Sequence, residues 1–194
     1  VADVDGDGST DVVVTDLDGE IWAWSSSGTP LRGFGSGLGG GAGTAHIDPA
    51  YSQDDVAAQD ERNRTKPGFL SSAALGQLDD DPELEIVAAA MDRHVYAFNH
   101  DGSPVDGWPV LVVDPAKVAA VDPTSHKVTF NDPKTAPGGE LIATPALYDF
   151  DGDGRDEVVI GSQEEYEEPV NAGDTTVQNL IAQQGDVGNS RLYM

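Results

Sequence analysis

Residues 3–14 read DVDGDGSTDVVV, and residues 149–160 read DFDGDGRDEVVI. Both stretches place carboxylates at positions one, three, five and nine of a short loop, with glycine at positions four and six, and both continue as a β-branched run. Asp and Gly favour tight turns, and β-branched residues favour strands. The two stretches therefore predict an all-β chain in which an acidic loop leads into a strand.

The chain repeats itself with an offset of 74 residues. The aromatic segment EIWAW at 20–24 recurs as HVYAF at 94–98, and the turn sequence GTPLRGF at 28–34 recurs as GSPVDGW at 102–108. The acidic loop recurs with the same offset at 77–85. Each unit is predicted to contain four short strands, and four-stranded units arrayed around an axis form a β-propeller.

We therefore expect one β-propeller segment of about three four-stranded blades with long inter-strand insertions. The expected blades are 1–34 (incomplete), 69–113 and 140–194 (incomplete); the insertions are 35–68, 114–139 and 163–189, which are rich in Gly, Pro or acid. The first strand of a blade is expected at 69–75 and 141–147, and the best helix candidate is 53–62. A propeller needs about four to eight blades, so we expect the remaining blades to come from the same longer chain or from neighbouring chains.

The composition narrows the classes of partner. The 194 residues include 35 acidic and 10 basic side chains, giving a net charge of −25, and no cysteine. An acidic surface repels phosphate backbones and anionic lipid headgroups, so neither nucleic-acid binding nor membrane attachment is expected. Membrane insertion is not expected either, because no apolar run is long enough to span a bilayer. Divalent cations are the natural partners of such a surface.

The first and third acidic loops offer oxygen ligands in a spacing that suits Ca²⁺, which takes about six to eight oxygens. Mg²⁺ fits less well because it demands octahedral geometry and keeps its waters. We expect one Ca²⁺ in each loop, with the position-seven residue contributing its main-chain carbonyl; metal-free turns are the alternative. The expected ligands are Asp3, Asp5, Asp7, Ser9 and Asp11, and separately Asp149, Asp151, Asp153, Arg155 and Glu157.

The middle loop departs from this pattern. Gln77 replaces the first carboxylate, and Asp80 and Pro82 replace the two glycines. Proline fixes its own φ and biases the preceding residue towards an extended conformation. We expect this loop to be the weakest of the three, and its occupancy stays open. Its candidate ligands are Asp79, Asp81, Glu83 and Glu85.

The Asp-x-Asp-Gly-Asp-Gly loop followed by a β-branched strand resembles the FG-GAP/VCBS repeat family, bacterial extracellular propellers related to the integrin α-subunit head. The aromatic strand with its Gly-x-Pro-x-x-Gly-aromatic tail is similar to the blades of PQQ-type quinoprotein propellers as well. The resemblance implies a secreted or surface-displayed propeller with calcium clamped at the blade edges. Such propellers usually serve recognition or adhesion, and some are joined to a catalytic domain.

We therefore expect a non-catalytic, calcium-stabilised module for binding, adhesion or structural display, which contacts a protein or glycan through its insertions. The alternative is the propeller of a secreted enzyme, a quinoprotein dehydrogenase or a polysaccharide lyase. The GxGxxG pattern at 35–40 lacks the βαβ context of a dinucleotide site, and the four histidines lack zinc-ligand spacing. The repeated aromatic residues are expected in inter-blade cores, with Trp24 and Trp108 as partial exceptions.

Overall fold

The computed structural model describes residues 1–35, 43–51, 68–131, 140–165 and 188–194. The expected helix at 53–62 lies outside these ranges, as do residues 36–42, 52–67, 132–139 and 166–187 of the three insertions. The described residues form β-strands, all in antiparallel pairs, and one 3-10 turn at Pro115–Lys117. The strands are β1 (Val12–Thr15), β2 (Ile21–Trp24), β3 (Ala74–Gly76), β4 (Glu85–Ala89), β5 (His94–Phe98), β6 (Val110–Leu111), β7 (Val118–Val121), β8 (Val128–Phe130), β9 (Ala146–Tyr148), β10 (Glu157–Glu165) and β11 (Gly188–Tyr193).

The three sequence units form three separate small sheets. The second unit forms a four-stranded sheet in the order β3-β4-β5-β6, and the third forms β9-β10-β11. The first unit forms the hairpin β1-β2, which single bridges extend at Ala2–Asp11 and Trp24–Pro30. The all-β class is thus confirmed. Four strands are found only in the second unit of the described chain, and none of the described sheets closes on itself.

The first strand of a unit is shorter than the sequence predicts. Strands β3 and β9 begin at Ala74 and Ala146, five residues after the expected starts at 69 and 141. The residues at those starts, Phe69 and Leu141, are instead buried at 2% and 0% exposure within the hydrophobic cores. Phe69 and Leu141 are therefore hydrophobic because the segment that precedes each strand packs into a core. An apolar run in the sequence does not by itself distinguish such a segment from a strand.

The second sheet is packed on both faces, as its period-two alternation predicts. One face, which includes Ile86 and Tyr96, joins a core with Ile21 of the first unit. The other face, which includes Val95, joins a core with Ile160 of the third unit. Every residue of β4 and β5 is buried. The three sheets are therefore stacked face to face, with the second unit in the middle.

Strands β2 and β5 each carry a pair of aromatic side chains, and the two rings of a pair lie on the same face of the sheet. Trp22 stacks on Trp24 with ring centroids 6.4 Å apart, and Tyr96 stacks on Phe98 at 6.2 Å. Tyr96 and Phe98 are buried between units, whereas both tryptophans lie half-buried on the outer face of the first unit. Trp108 packs partly buried at the edge of a core. The expectation of core aromatics is confirmed for Tyr96 and Phe98, and Trp24 and Trp108 are the expected partial exceptions. It is wrong for Trp22, which lies on the same outer face as Trp24, opposite Ile21 and Ala23 in the core.

The Gly-x-Pro turns of the first two units interlock. Gly33, at φ +82°, lies so close to the next unit that a Cβ built on it would stand 1.6 Å from the carbonyl oxygen of Asp101. The Thr44 hydroxyl donates to the Gly102 carbonyl at 2.9 Å and helps to hold the two turns together. Gly107 occupies the same motif position as Gly33 in the second unit, at φ +88°, and no described atom lies within 4 Å of its Cβ position.

Two hairpins extend into the predicted insertions. Strands β7 and β8 pair within the range 114–139, and the β10–β11 ladder continues from both sides into the range 163–189. Arg191 in β11 forms an ion pair with Asp114 at 2.7 Å, and Arg93 lies 5.6 Å from the centre of the Phe130 ring. No helix within the described ranges has the length and apolar character needed to cross a membrane.

Candidate metal-binding loops

The three acidic loops occupy equivalent places, because each comes directly before, or ends at the first residue of, the strand with the β-branched run: β1, β4 or β10. We call residues 3–11 loop one, 77–85 loop two and 149–157 loop three, and count positions one to nine in each. In every loop, position nine pairs across the ladder with the residue that precedes position one. These pairs are Ala2–Asp11, Gly76–Glu85 and Tyr148–Glu157. The strand pairing therefore closes each loop at its base.

The position-nine carboxylate is fixed in the same way in all three loops. One of its oxygens accepts a hydrogen bond from the backbone N–H of position two. The bonds run from Val4 to Asp11 at 2.8 Å, from Leu78 to Glu85 at 2.6 Å and from Phe150 to Glu157 at 2.7 Å. Within the described chain, the remaining oxygens of Asp11 and Glu85 are buried and have no hydrogen-bond partner. This contact holds one oxygen on the backbone and leaves the other for a further partner.

The carboxylates at positions three and five bend the loop by accepting bonds from backbone N–H groups two residues later. In loop one, Asp5 accepts from Asp7 at 3.2 Å and Asp7 accepts from Ser9 at 2.7 Å. The same two bonds occur in loops two and three. Gly6 and Gly152 have φ values of +71° and +79°, so the left-handed turn expected at these glycines is present.

Loop one brings together three of its expected ligands. One oxygen each of Asp3, Asp5 and Asp11 lies within 4.8 Å of the other two. Asp11 has 0% exposure, and Asp3 also has a buried oxygen without a hydrogen-bond partner among the described residues. Buried carboxylate oxygens are costly unless a donor or a cation faces them. The donor set and its unpaired oxygens therefore fit a hard divalent cation.

Loop three brings together Asp149, Asp151 and Glu157 within the same 4.8 Å limit, but in a more exposed setting. Its position-five residue, Asp153, lies outside this group, as Asp7 does in loop one. Asp153 is held by Arg155, whose backbone N–H donates at 2.9 Å and whose guanidinium donates at 3.1 Å. These hydrogen bonds lower the pKa of the Asp153 carboxyl below its usual range.

Loop two also brings together its position-three, -five and -nine carboxylates, Asp79, Asp81 and Glu85. Burial is the main cause that raises the pKa of Glu85 above its usual value of 4.5; the hydrogen bond from Leu78 opposes this rise, and the charges of Asp79 and Asp81 add to it. The pattern of a buried position-nine acid facing two other acids is thus retained in loop two. Its position-one residue differs in both identity and contacts.

Gln77 fills the inside of loop two with its carboxamide. Its Nε2 donates to the main-chain carbonyl of Asp81 and, at 3.2 Å, to that of Glu83, which is the position-seven carbonyl. Its Oε1 accepts from the backbone N–H of Asp79 at 3.1 Å. In loops one and three, position one instead accepts from the N–H of the position-six glycine, at 2.9 and 3.0 Å. Pro82 has no N–H to offer at that position.

The three loops lie in a row and are joined by the position-eight N–H groups of loops two and three. The Leu84 N–H of loop two donates to the Val4 carbonyl of loop one at 3.1 Å. The Asp156 N–H of loop three donates to the Gln77 carbonyl of loop two at 2.6 Å, and the Asp156 carboxylate accepts from the Gln77 N–H at 3.1 Å. Loop two is therefore hydrogen-bonded to both of its neighbours.

The fold also brings His100 close to loop two, which its position in the sequence does not indicate. Ligand atoms of Asp81, Glu83 and His100 lie within 4.8 Å of one another. The imidazole arrives from the turn after β5, so only the tertiary fold joins it to the loop. Three donors are fewer than the four that a structural zinc site uses. Asp81 moreover belongs also to the cluster of three carboxylates, Asp79, Asp81 and Glu85, inside loop two.

Comparisons with known proteins identify one segment of the chain. The sequence model of the FG-GAP repeat matches residues 142–178, a stretch that contains β9, loop three and β10. No curated protein and no solved structure matches the chain significantly. The resemblances to VCBS repeats and to PQQ-type blades are not confirmed by these comparisons. Residues 142–178, which include one of the three acidic loops and the strands on both of its sides, thus match the FG-GAP repeat in sequence.

Proposed function

We propose that this chain is part of a calcium-stabilised, non-catalytic β-propeller module of a secreted or cell-surface protein that serves binding or adhesion. The FG-GAP repeat at residues 142–178 is consistent with an integrin-like propeller. The face-to-face packing of three β-units that share one acidic loop design supports the same architecture. Millimolar calcium outside cells suits loops of this kind, whose affinity in extracellular modules is on the order of 10⁻⁴–10⁻³ M.

The observation that carries the calcium proposal is the pair of buried carboxylate oxygens in loop one that have no hydrogen-bond partner among the described residues, one each on Asp3 and Asp11. Bound Ca²⁺ would place a positive charge beside these two oxygens. The four carboxylates of the loop and the ion together would then carry a net charge of about −2. The backbone contact of Asp11 with Val4 at 2.8 Å then positions the second oxygen without a further conformational change.

A thermal melt in excess calcium and in EDTA tests this proposal. With an affinity of about 10⁻⁴–10⁻³ M, about 10 mM calcium stabilises the folded state by roughly 1.4–2.7 kcal/mol per site. For a chain of this size that corresponds to a rise in Tm of roughly 3–11 °C per site. We expect Asp5→Asn to lose one site's share of the rise. Asp106→Asn, which removes one exposed charge outside the loops, is the matched control.

A melting curve that responds neither to calcium nor to EDTA would refute calcium stabilisation. An equal loss of the calcium-dependent rise in Tm in Asp5→Asn and Asp106→Asn would show that the effect is one of net charge rather than of a site.

The catalytic alternative has its own test. A quinoprotein blade is expected to bind PQQ, and binding is expected to change the absorbance of PQQ. We expect no such change with this protein.

The binding surface is proposed to lie on the three insertions, because variable loops on a rigid scaffold commonly carry recognition. The described part of one insertion, the hairpin β7–β8, presents exposed residues from Ala119 to Ser125. Binding to immobilised glycans and to extracellular-matrix proteins, measured with calcium and with EDTA, tests this part of the proposal. Loss of binding on replacement of residues 119–125 with a short Asn-Gly turn is the expected result, and unchanged binding would exclude this hairpin.

A further inference from the structure

Loop two keeps its shape by a different means from loops one and three. The position-nine contact, the position-three and position-five contacts and the ladder pair at the base are all present in it. Positions one, four and six differ, where Gln77, Asp80 and Pro82 replace an aspartate and two glycines. The Gln77 carboxamide reaches into the loop and donates to two of its main-chain carbonyls. One of these carbonyls, that of Glu83, holds the position that is the expected carbonyl ligand in the other two loops.

Two of the three departures from the motif, Gln77 and Pro82, act together. In loops one and three, the position-one carboxylate is tied to the N–H of the position-six glycine, Gly8 or Gly154. In loop two, Pro82 offers no N–H, so position one has no such donor to satisfy. Glutamine is one methylene longer than aspartate, and its N–H₂ group carries two donors where an ion would carry positive charge. The Gln77 side chain therefore satisfies the carbonyls that a cation would otherwise attract.

We propose that loop two holds no cation, because the Gln77 carboxamide takes the place of the ion at the Asp81 and Glu83 carbonyls. The second oxygen of Glu85 remains buried without a partner among the described residues, as that of Asp11 does in loop one. The comparison with loops one and three rests on the proposed function; the role of Gln77 within loop two does not. Because loop two is hydrogen-bonded to both neighbouring loops, it keeps the row of loops joined at its centre when calcium is scarce.

The first arm of the test measures the stability of loop two without calcium. In excess EDTA, Gln77→Ala leaves two carbonyls without their donor and is expected to lower the Tm by about 3–10 °C. Gln77→Glu has nearly the same shape but places an oxygen against those carbonyls, so its Tm is expected to fall at least as far. Asp80→Ala, at an exposed position of the same loop, is the control and is expected to leave the Tm unchanged. A wild-type Tm in Gln77→Ala overturns the inference.

The second arm counts bound calcium by equilibrium dialysis. We expect two ions in the wild type, two in Asp79→Asn and one in Asp5→Asn. The triple variant Gln77→Asp/Asp80→Gly/Pro82→Gly restores the aspartate and both glycines of the motif and is expected to bind three. Three ions in the wild type, or the loss of one in Asp79→Asn, overturns the inference. If the wild type binds none, the proposed function fails, and the EDTA melts alone then support or overturn the role of Gln77.

Discussion

The contact between the first two units at Gly33 leads to a prediction with an internal control. Gly33→Ala and Gly107→Ala each place a Cβ at a residue with φ above +80°, at the same position of the same motif. The free-energy cost of holding an alanine at positive φ is therefore the same for both variants, about 1–2 kcal/mol each. The surroundings differ: the new Cβ at Gly33 would lie 1.6 Å from the carbonyl oxygen of Asp101, and that at Gly107 meets no described atom.

A backbone atom at that distance cannot rotate away, so the two units must shift apart. Overpacking of this kind costs about 1–3 kcal/mol in addition to the conformational term. We therefore expect Gly33→Ala to destabilise the protein by roughly 2–5 kcal/mol and Gly107→Ala by roughly 1–2 kcal/mol. For a chain of this length, the difference corresponds to a gap in Tm of about 2–12 °C.

Thermal denaturation followed by circular dichroism measures this gap directly. Gly102→Ala and Gly28→Ala provide a second matched pair, because both residues have positive φ, and a Cβ on Gly102 would lie 2.9 Å from Gly33 O, whereas Gly28 has no described atom near it. We expect the inner member of each pair to be the more destabilised. Equal Tm values within both pairs would refute the interlocking of the turns.

Two further predictions concern buried polar groups. Tyr96→Phe removes a hydrogen bond of 2.6 Å to the buried carboxylate of Asp92 and is expected to cost about 1.5–3 kcal/mol, measured by denaturant unfolding against the exposed control Tyr148→Phe. Burial raises the pKa of Glu20 above 4.5, so its contribution to stability is present below that value and is lost as the pH rises through the raised pKa. We therefore expect Glu20→Gln to melt at a higher temperature than the wild type near neutral pH, with the difference shrinking towards pH 4.5; an unchanged difference across the pH range would contradict this.

The sequence predicts those features that depend on local spacing. The acidic loops, the strands that follow loops two and three, and the alternation that buries both faces of β4 and β5 all follow from periods of two residues or from a nine-residue motif. Each of these is encoded within about ten residues and repeated along the chain. Repetition makes these local patterns reliable predictors of structure, because a chance pattern does not recur with a constant offset.

Features that depend on tertiary contact are not predicted by the sequence. The hairpin β7–β8 lies in a segment with Pro, Asp and Lys that favours a loop, yet Val118–Val121 and Val128–Phe130 are β-prone and pair across a turn. The approach of His100 to loop two, and of Gly33 to the next unit, joins residues far apart in the chain. The sequence indicates that Gln77 departs from the motif, but the two hydrogen bonds that its side chain donates inside the loop depend on the folded geometry.

The stacking of the units has a consequence for how the protein opens. Within the described residues of this chain, only the middle unit is packed on both faces, whereas the first and third units each have one face with exposed apolar side chains such as Val14 and Leu192. In such a nearest-neighbour array, fluctuations begin at the ends and proceed inward. Amide protons of β4 and β5 should exchange with solvent last, those of β1 and β11 first, so that deuterium uptake reports the order of the stack from its centre outward.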